Sequence, residues 1–242
     1  MPTHQVTNQV PPLEDYDLYA TDPVLPAAVE REGGGWAAAL LHAFGRAVTS
    51  PDDYRQAALA NSHTPVLQTH DRFGHRVDEV EFHPSWHHFM GRSVAEGLHS
   101  LPFARPAGEG ARVVRDALFT MVSQIEAGHG CPISMTTSVV PALRAEPSLA
   151  AAWEPRILTR TYDPRLVPLA EKHGVILGMG MTEKQGGSDV RTNSSVATPV
   201  QGGEAYELGG HKWFTSAPMS DAFLVLAQAP GGLTCFLLPR VL

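Results

Sequence analysis

Apolar positions recur with a helical period over the first two thirds of the chain, and the period changes near residue 174. Trp36, Leu40, Leu41 and Phe44 fall on one helix face. Thr49-Ser50-Pro51, then Asp52 and Asp53, marks a helix start: a polar cap, a first-turn proline, acids at the positive end. Trp86, Phe89, Met90 and Val94 predict a buried stripe, and Val113, Ala117, Leu118, Met121 and Val122 another. Gly130 is expected to stop one helix and Pro132 to open the next. Residues 61–82 are polar and broken, which predicts loop with short extended pieces. Residues 145–172 read as helix and loop punctuated by proline, and residues 1–25 as a polar, proline-bearing extended arm.

After residue 174 short apolar runs alternate with turn residues. Gly174–Thr182, Ser195–Val200, Ala205–Leu208, Phe223–Ala227 and Thr234–Leu238 read as strands. Gln201-Gly202-Gly203 and Pro230-Gly231-Gly232 read as hairpin turns. Helices followed by strands argue an α+β fold with an antiparallel sheet. The expected organisation is an arm over 1–25, a helical domain over 26–173 and a β-domain over 174–242. The last residues, CFLLPRVL, follow directly on a strand, which would leave a sheet edge uncovered. The expectation is therefore the front part of a longer protein.

Composition narrows the function. At 242 residues the chain can bury a core without disulfides or metals. Glycine and proline together make about a sixth of it, too few for a low-complexity or collagen-like chain. A net charge of −7 gives no global pull toward nucleic acid. Two cysteines, Cys131 and Cys235, exclude a disulfide framework and fit a reducing, cytoplasmic compartment. No secretory pattern opens the chain, and no apolar run approaches the ~18 residues of a membrane span. The longest, Ala222–Ala227, reads as a strand.

Two segments carry candidate chemistry. Met179-Gly180-Met181-Thr182-Glu183-Lys184-Gln185-Gly186-Gly187-Ser188 is a strand end running into a glycine-rich loop with hydroxyls at both ends. Such a loop lets backbone N–H groups approach a planar or anionic ligand, and it equally suits a capped β-turn. It lacks the Gly-Lys-Ser/Thr of a phosphate loop and the following helix of a dinucleotide fingerprint. In Gly209-Gly210-His211-Lys212-Trp213-Phe214-Thr215-Ser216, adjacent aromatics precede two hydroxyls. Trp213 can wall a flat heteroaromatic ring, or sit in the core. His83 and His87 have zinc-like spacing, but Pro84 between them and the lack of a partner favour packing at a helix start, so no metal is expected. Cys131 sits near a helix start without a catalytic partner pattern and is expected to be buried packing.

The two segments, in this order and about 30 residues apart, resemble the acyl-CoA dehydrogenase superfamily, whose middle β-domain carries a Thr-Glu…Gly-Ser-Asp loop and a later Gly-x-Lys-Trp stretch. Together with EREGGGW, FHPSWH and EAGHGCPISMT, they are similar to its adaptive-response branch, flavoproteins of the alkylation-damage pathway. The likeness runs from about residue 10 to the end. It implies three parts: a helical domain, a β-domain and a C-terminal helical bundle absent from this chain. It implies non-covalent FAD along Met179 to Ser188, with Thr182 near the reactive edge, Ser188 toward the pyrophosphate, and Trp213, Phe214 and Thr215 along a ring face. It implies transfer of a β-hydride from an acyl-CoA to flavin N5 while a carboxylate takes the α-proton. That base lies in the family's C-terminal bundle and matches no position here; Glu183 belongs to the flavin motif.

The resemblance further implies a homotetramer when full length. A second functional reading is a DNA-associated protective protein on the same scaffold, with DNA held through the absent C-terminal part. Arginine and lysine are scattered in this chain, with no run of three, which gives that reading no direct support. A third assigns residues 1–30 to assembly or substrate gating, testable by deleting the arm and weighing the oligomer.

Overall fold

The computed structural model describes residues 3–106, 108–200, 202 and 205–241. Met1, Pro2, Ala107, Gln201, Gly203, Glu204 and Leu242, which the arm, helical-domain, turn and β-domain readings include, lie outside the described residues. The helical part comprises α1 (Leu18–Thr21), α2 (Val24–Arg31), α3 (Ala38–Val48) and α4 (Pro51–Ser62), then a β-ribbon, then α5 (Pro84–Ala95), α6 (Ala111–Ser123), α7 (Gly130–Leu143) and α8 (Pro147–Ile157). The caps explain several starts. Ser50 Oγ accepts the Asp53 N–H at 3.2 Å below Pro51, and His83 Nδ1 accepts the Ser85 N–H at 3.2 Å below Pro84.

Residues 3–15 are exposed, but the extended arm ends sooner than residue 25. Asp17 caps α1 through the Ala20 N–H at 3.1 Å, and His42 and Arg46 each bond its other oxygen at 2.8 Å. Leu18 and Tyr19 are then buried against α3. Gly45 permits this approach, since a Cβ there would lie 2.8 Å from the Tyr19 backbone nitrogen.

The first core gathers the predicted stripes: Leu41, Phe44, Trp86, Phe89, Met90, Val94, Leu118 and Met121 are all buried. Trp36 departs from its stripe and is 43% exposed. A 3₁₀ turn over Gly35–Ala37 shifts its phase. Its indole N–H donates to Glu109 O at 2.9 Å, under the Arg105 guanidinium at 3.9 Å from the ring. Gly130 is the first residue of α7 and does not end the helix before it. Cys131 beside it is exposed, because Gly130, Pro132 and Ile133 supply the inward positions of that turn. The polar segment 61–82 forms the ribbon of β1 (Val66–His70) and β2 (Arg76–Glu81), closed by Asp71, whose carboxylate accepts the Phe73 and His75 N–H groups.

The sheet holds β3 (Leu177–Gly180), β4 (Val196–Pro199), β5 (Tyr206–Gly209), β6 (Ala222–Ala229) and β7 (Gly232–Pro239). The α+β class holds, but the sheet is mixed. Strand β6 is its spine. On one edge β7 pairs antiparallel from Ala222↔Pro239 to Ala229↔Gly232, across the expected Pro230-Gly231 turn. On the other edge lie β3, parallel over Leu177↔Ala222 to Gly180↔Val225, and then β4, parallel at Val196↔Gln228. Only β4–β5 and β6–β7 are antiparallel. Hairpins announce themselves by short turns, whereas parallel partners are joined by long segments that leave no local signal.

A second core joins sheet and helices. Val139, Val140 and Leu143 of α7 with Trp153 and Ile157 of α8 pack on Val175, Leu177, Ala222 and Leu224. Thr136 Oγ1 accepts the Leu177 N–H at 3.0 Å, and Asp221 Oδ2 accepts that of Ile176 at 2.9 Å. These bonds aim β3 so that its end delivers the glycine-rich loop. Among the described residues no helix is long and apolar enough to cross a membrane.

Candidate active site

Strands β3 and β4 lie end to end along one edge of β6, and residues 181–195 leave the sheet between them. Glu183 holds this excursion. Its Oε1 accepts the Ser195 N–H at 2.9 Å, the Ser195 hydroxyl at 2.6 Å and Lys212 Nζ at 2.8 Å. Its Oε2 accepts the Ser194 N–H at 2.7 Å, the Ser194 hydroxyl at 2.8 Å and Gln185 Nε2 at 2.6 Å. Burial alone would push this carboxyl up; Lys212 and the serine donors outweigh it and hold the group far below the usual carboxylate range. Asn193 adds a bond from Nδ2 to Met181 O at 3.1 Å.

The second segment leans on the first. The Trp213 N–H donates to Thr182 O at 2.9 Å, and Ser216 bridges Met179. Gly210 makes the approach possible, because a Cβ there would lie 2.3 Å from Ser195 Oγ and 2.8 Å from Ser195 Cα. Beyond it Trp213 is 50% and Phe214 66% exposed, forming an aromatic shelf beside the loop. Lys184 Nζ lies 5.2 Å from the Trp213 ring centre. Gly187 is packed against Thr182, with a Cβ position 2.8 Å from Thr182 Cγ2.

The residues singled out by sequence therefore divide. Met179, Met181, Thr182 and Gly186 are half-buried and Gly180 is buried, while Lys184, Gly187, Ser188, Trp213, Phe214 and Thr215 are exposed around the shelf. The side chains of Glu183 and Gln185 turn onto protein partners. Trp213 stands outside the core. Sequence reasoning passed over Lys212, Ser194 and Ser195. Lys212 stood within the quoted motif, but nothing local ties it to a carboxylate 29 residues away.

Other clusters resolve differently. His87 bonds the Tyr162 hydroxyl at 2.7 Å and His88 bonds Asp53 at 2.9 Å, so the three neighbouring histidines diverge to separate partners. Ser93, His129 and Glu126 form a chain, with Oγ to Nε2 at 2.8 Å and Nδ1 to Oε2 at 2.5 Å. Its connectivity is that of a nucleophile, a base and an orienting acid, but each member is at most 2% exposed, which closes it to substrate.

Residues 8–164 match the family model of the adaptive response protein AidB N-terminal domain, and residues 178–242 match the acyl-CoA dehydrogenase middle domain. The chain is 44% identical over 241 residues to the putative acyl-CoA dehydrogenase AidB of Escherichia coli (strain K12), covering 99% of this chain and 44% of that protein. It is 30% identical over 220 residues to acyl-CoA dehydrogenase family member 11 of Caenorhabditis elegans, covering 88% of this chain and 34% of the relative. Among solved structures, the apo form of Bd2924 superposes with a TM-score of 0.81 at 28% identity, over 93% of this chain and 46% of that one. Caenorhabditis elegans ACDH-11 in complex with C11-CoA superposes with a TM-score of 0.81 at 26% identity, over 98% and 42%. The chain spans less than half the length of each of these proteins.

Proposed function

This chain belongs to the AidB branch of the acyl-CoA dehydrogenase family, and on that premise we propose that its glycine-rich loop and aromatic shelf hold FAD in an acyl-CoA dehydrogenase-type oxidoreductase. The observation that carries the reading is the exposed Trp213–Phe214 shelf, tied to the loop through Thr182. An isoalloxazine needs a flat apolar wall and nearby polar groups for its edge; the exposed Trp213 ring offers the wall, with Phe214 set edge-on at 66° beside it, and Thr182 and Ser188 offer the polar groups. The middle-domain match covers both segments. When bound, the flavin supplies the hydride acceptor for α,β-dehydrogenation of an acyl-CoA.

The chain's own residues bind and orient. Trp213, Phe214 and Thr215 would line the flavin. Thr182 would offer the flavin a hydroxyl, and the exposed Ser188 would offer one to its phosphates. Glu183 is not the base: Lys212 and the serine donors enclose its carboxylate. Its part is to hold Thr182 and the shelf at one spacing. That ACDH-11 was solved with C11-CoA supports an acyl-CoA as the substrate class. The same reading includes self-association of the full-length protein into a homotetramer.

The test is the visible spectrum of the purified chain after incubation with FAD and desalting. Retained flavin bands are expected, weaker in Trp213→Ala and in Ser188→Ala. Wild-type flavin content in both folded variants overturns the assignment.

A further inference from the structure

The fold gathers arginines that look scattered in the sequence. Arg105 follows the 3₁₀ turn over Leu101–Phe103, Arg112 and Arg115 lie on α6, and Arg144 follows the last turn of α7. All four line one groove of about 690 Å³ between α6 and α7. Helix α7 divides its faces: Thr136, Val139, Val140 and Leu143 turn to the sheet, while Ser134 and Ser138, one turn apart, open on the groove.

The electrostatics favour an anion. Asp116, the one acidic residue lining the groove among the described residues, pairs with Arg115 Nη1 at 3.0 Å. Outside the groove lining, Glu109 pairs with Arg105, and Glu154 takes both Nε and Nη2 of Arg144, which leaves Arg112, among the described residues, as the guanidinium free for a ligand. Two guanidinium groups are held in place beforehand. Arg115 is 15% exposed, donates Nε–H to Leu98 O at 2.8 Å and lies 4.4 Å from the Phe119 ring centre. Arg144 lies 5.3 Å from that of Phe103. Arg112 is exposed and joins no ion pair among the described residues. This positive groove sits in a chain of net charge −7.

Guanidinium forks match phosphoryl oxygens two at a time, and the Ser134 hydroxyl can donate to an oxygen left over, while that of Ser138 donates to Ser134 O at 2.9 Å. One phosphate would leave most of the volume empty, whereas a small organic molecule fits it. We propose that this groove binds a small molecule carrying two or more phosphoryl groups, at a site built from α6 and α7 and independent of the flavin loop.

Calorimetric titration of the chain with inorganic tripolyphosphate and with adenosine triphosphate, at low salt and without divalent cations, tests it. Saturable binding of one equivalent of either probe is expected. Arg112→Ala should weaken it about tenfold, the loss of one charge-assisted contact. Arg112→Glu should abolish it, and Arg112→Lys, which keeps the charge and loses the fork, should weaken it several-fold. Arg55→Ala, which removes an exposed arginine on α4, should leave it unchanged. Far-UV spectra matching the wild type keep misfolding out of the comparison. Equal affinity for both probes assigns recognition to the phosphoryl groups, and tighter nucleotide binding adds contact with the rest of the molecule; both support the site. Absence of saturable binding overturns it, as does an equal loss in Arg55→Ala. Tighter, Arg112-dependent binding of a short DNA duplex overturns it in favour of a macromolecular backbone.

Discussion

Replacing Glu183 with glutamine keeps the shape of the loop's anchor and removes its charge. The carboxylate receives six donors: two backbone N–H groups, two hydroxyls, an amide and an ammonium. An amide oxygen can serve about half of them, and the new NH₂ meets the rest head-on. The serine hydroxyls can rotate to accept. The Ser194 or Ser195 N–H and the Lys212 ammonium cannot. Each buried donor left unmatched costs about 1–3 kcal/mol, and breaking a buried ion pair about 3–5 kcal/mol. Relief from hydroxyl rotation puts the expected loss near 3–4 kcal/mol, a large share of the roughly 5–15 kcal/mol that holds a domain folded. Lys212→Met should cost less, because five neutral donors still surround the carboxylate.

The double variant Glu183→Gln/Lys212→Met should recover at least about 1 kcal/mol relative to additivity, since the unmatched ammonium disappears. Urea denaturation of the four proteins measures the cycle. The acid limb carries the same signature. Because the folded carboxyl titrates below its ordinary value near 4.5, its contribution is complete above that pH and fades as pH falls toward the folded value. That part of the acid destabilisation should vanish in Glu183→Gln. A Glu183→Gln protein within 1 kcal/mol of wild type, with an additive double variant, refutes the anchor role.

Gly210→Ala forces a Cβ against Ser195 and should destabilise by about 1–3 kcal/mol, read as a lowered melting temperature; an unchanged value would mean that the two segments can part without cost. Ser93→Ala should cost about 1 kcal/mol or more through its lost bond to His129, while hydrolysis of nitrophenyl esters stays at background in both proteins; a wild-type esterase rate that the variant loses would contradict the sealed geometry. Cys131 should react with a maleimide in the native protein without a lag; protection until denaturant is added would place it inside.

What the sequence makes legible follows from the range of the forces involved. Helix starts at Ser50-Pro51 and His83-Pro84 are local, since cap and proline lie within one turn of what they stabilise. The stripe of Trp86, Phe89, Met90 and Val94 is local for the same reason. Pairing of β3 and β4 with β6 spans tens of residues and leaves no turn to read. At the candidate site, both segments can be picked out by residue type. Their mutual lock cannot, because it depends on Glu183 meeting Ser194, Ser195 and Lys212 across 11 to 29 positions. Trp36 and Cys131 mislead because one extra turn of 3₁₀ geometry, or one residue's step around a helix, exchanges inside for outside.

The shared second core also sets a schedule for synthesis. The inward face of α7 is finished at Leu143, but its partners on β6 extend to Leu224, about 80 residues later. At roughly 5–20 residues per second, a ribosome needs on the order of 4–16 s to deliver them. Through that interval Val139, Val140 and Leu143 can draw on Phe103, α8 and, later, β3, but not on β6. The nascent chain thus carries a temporarily sticky helix, and its folding yield depends on what shields that helix until β6 arrives.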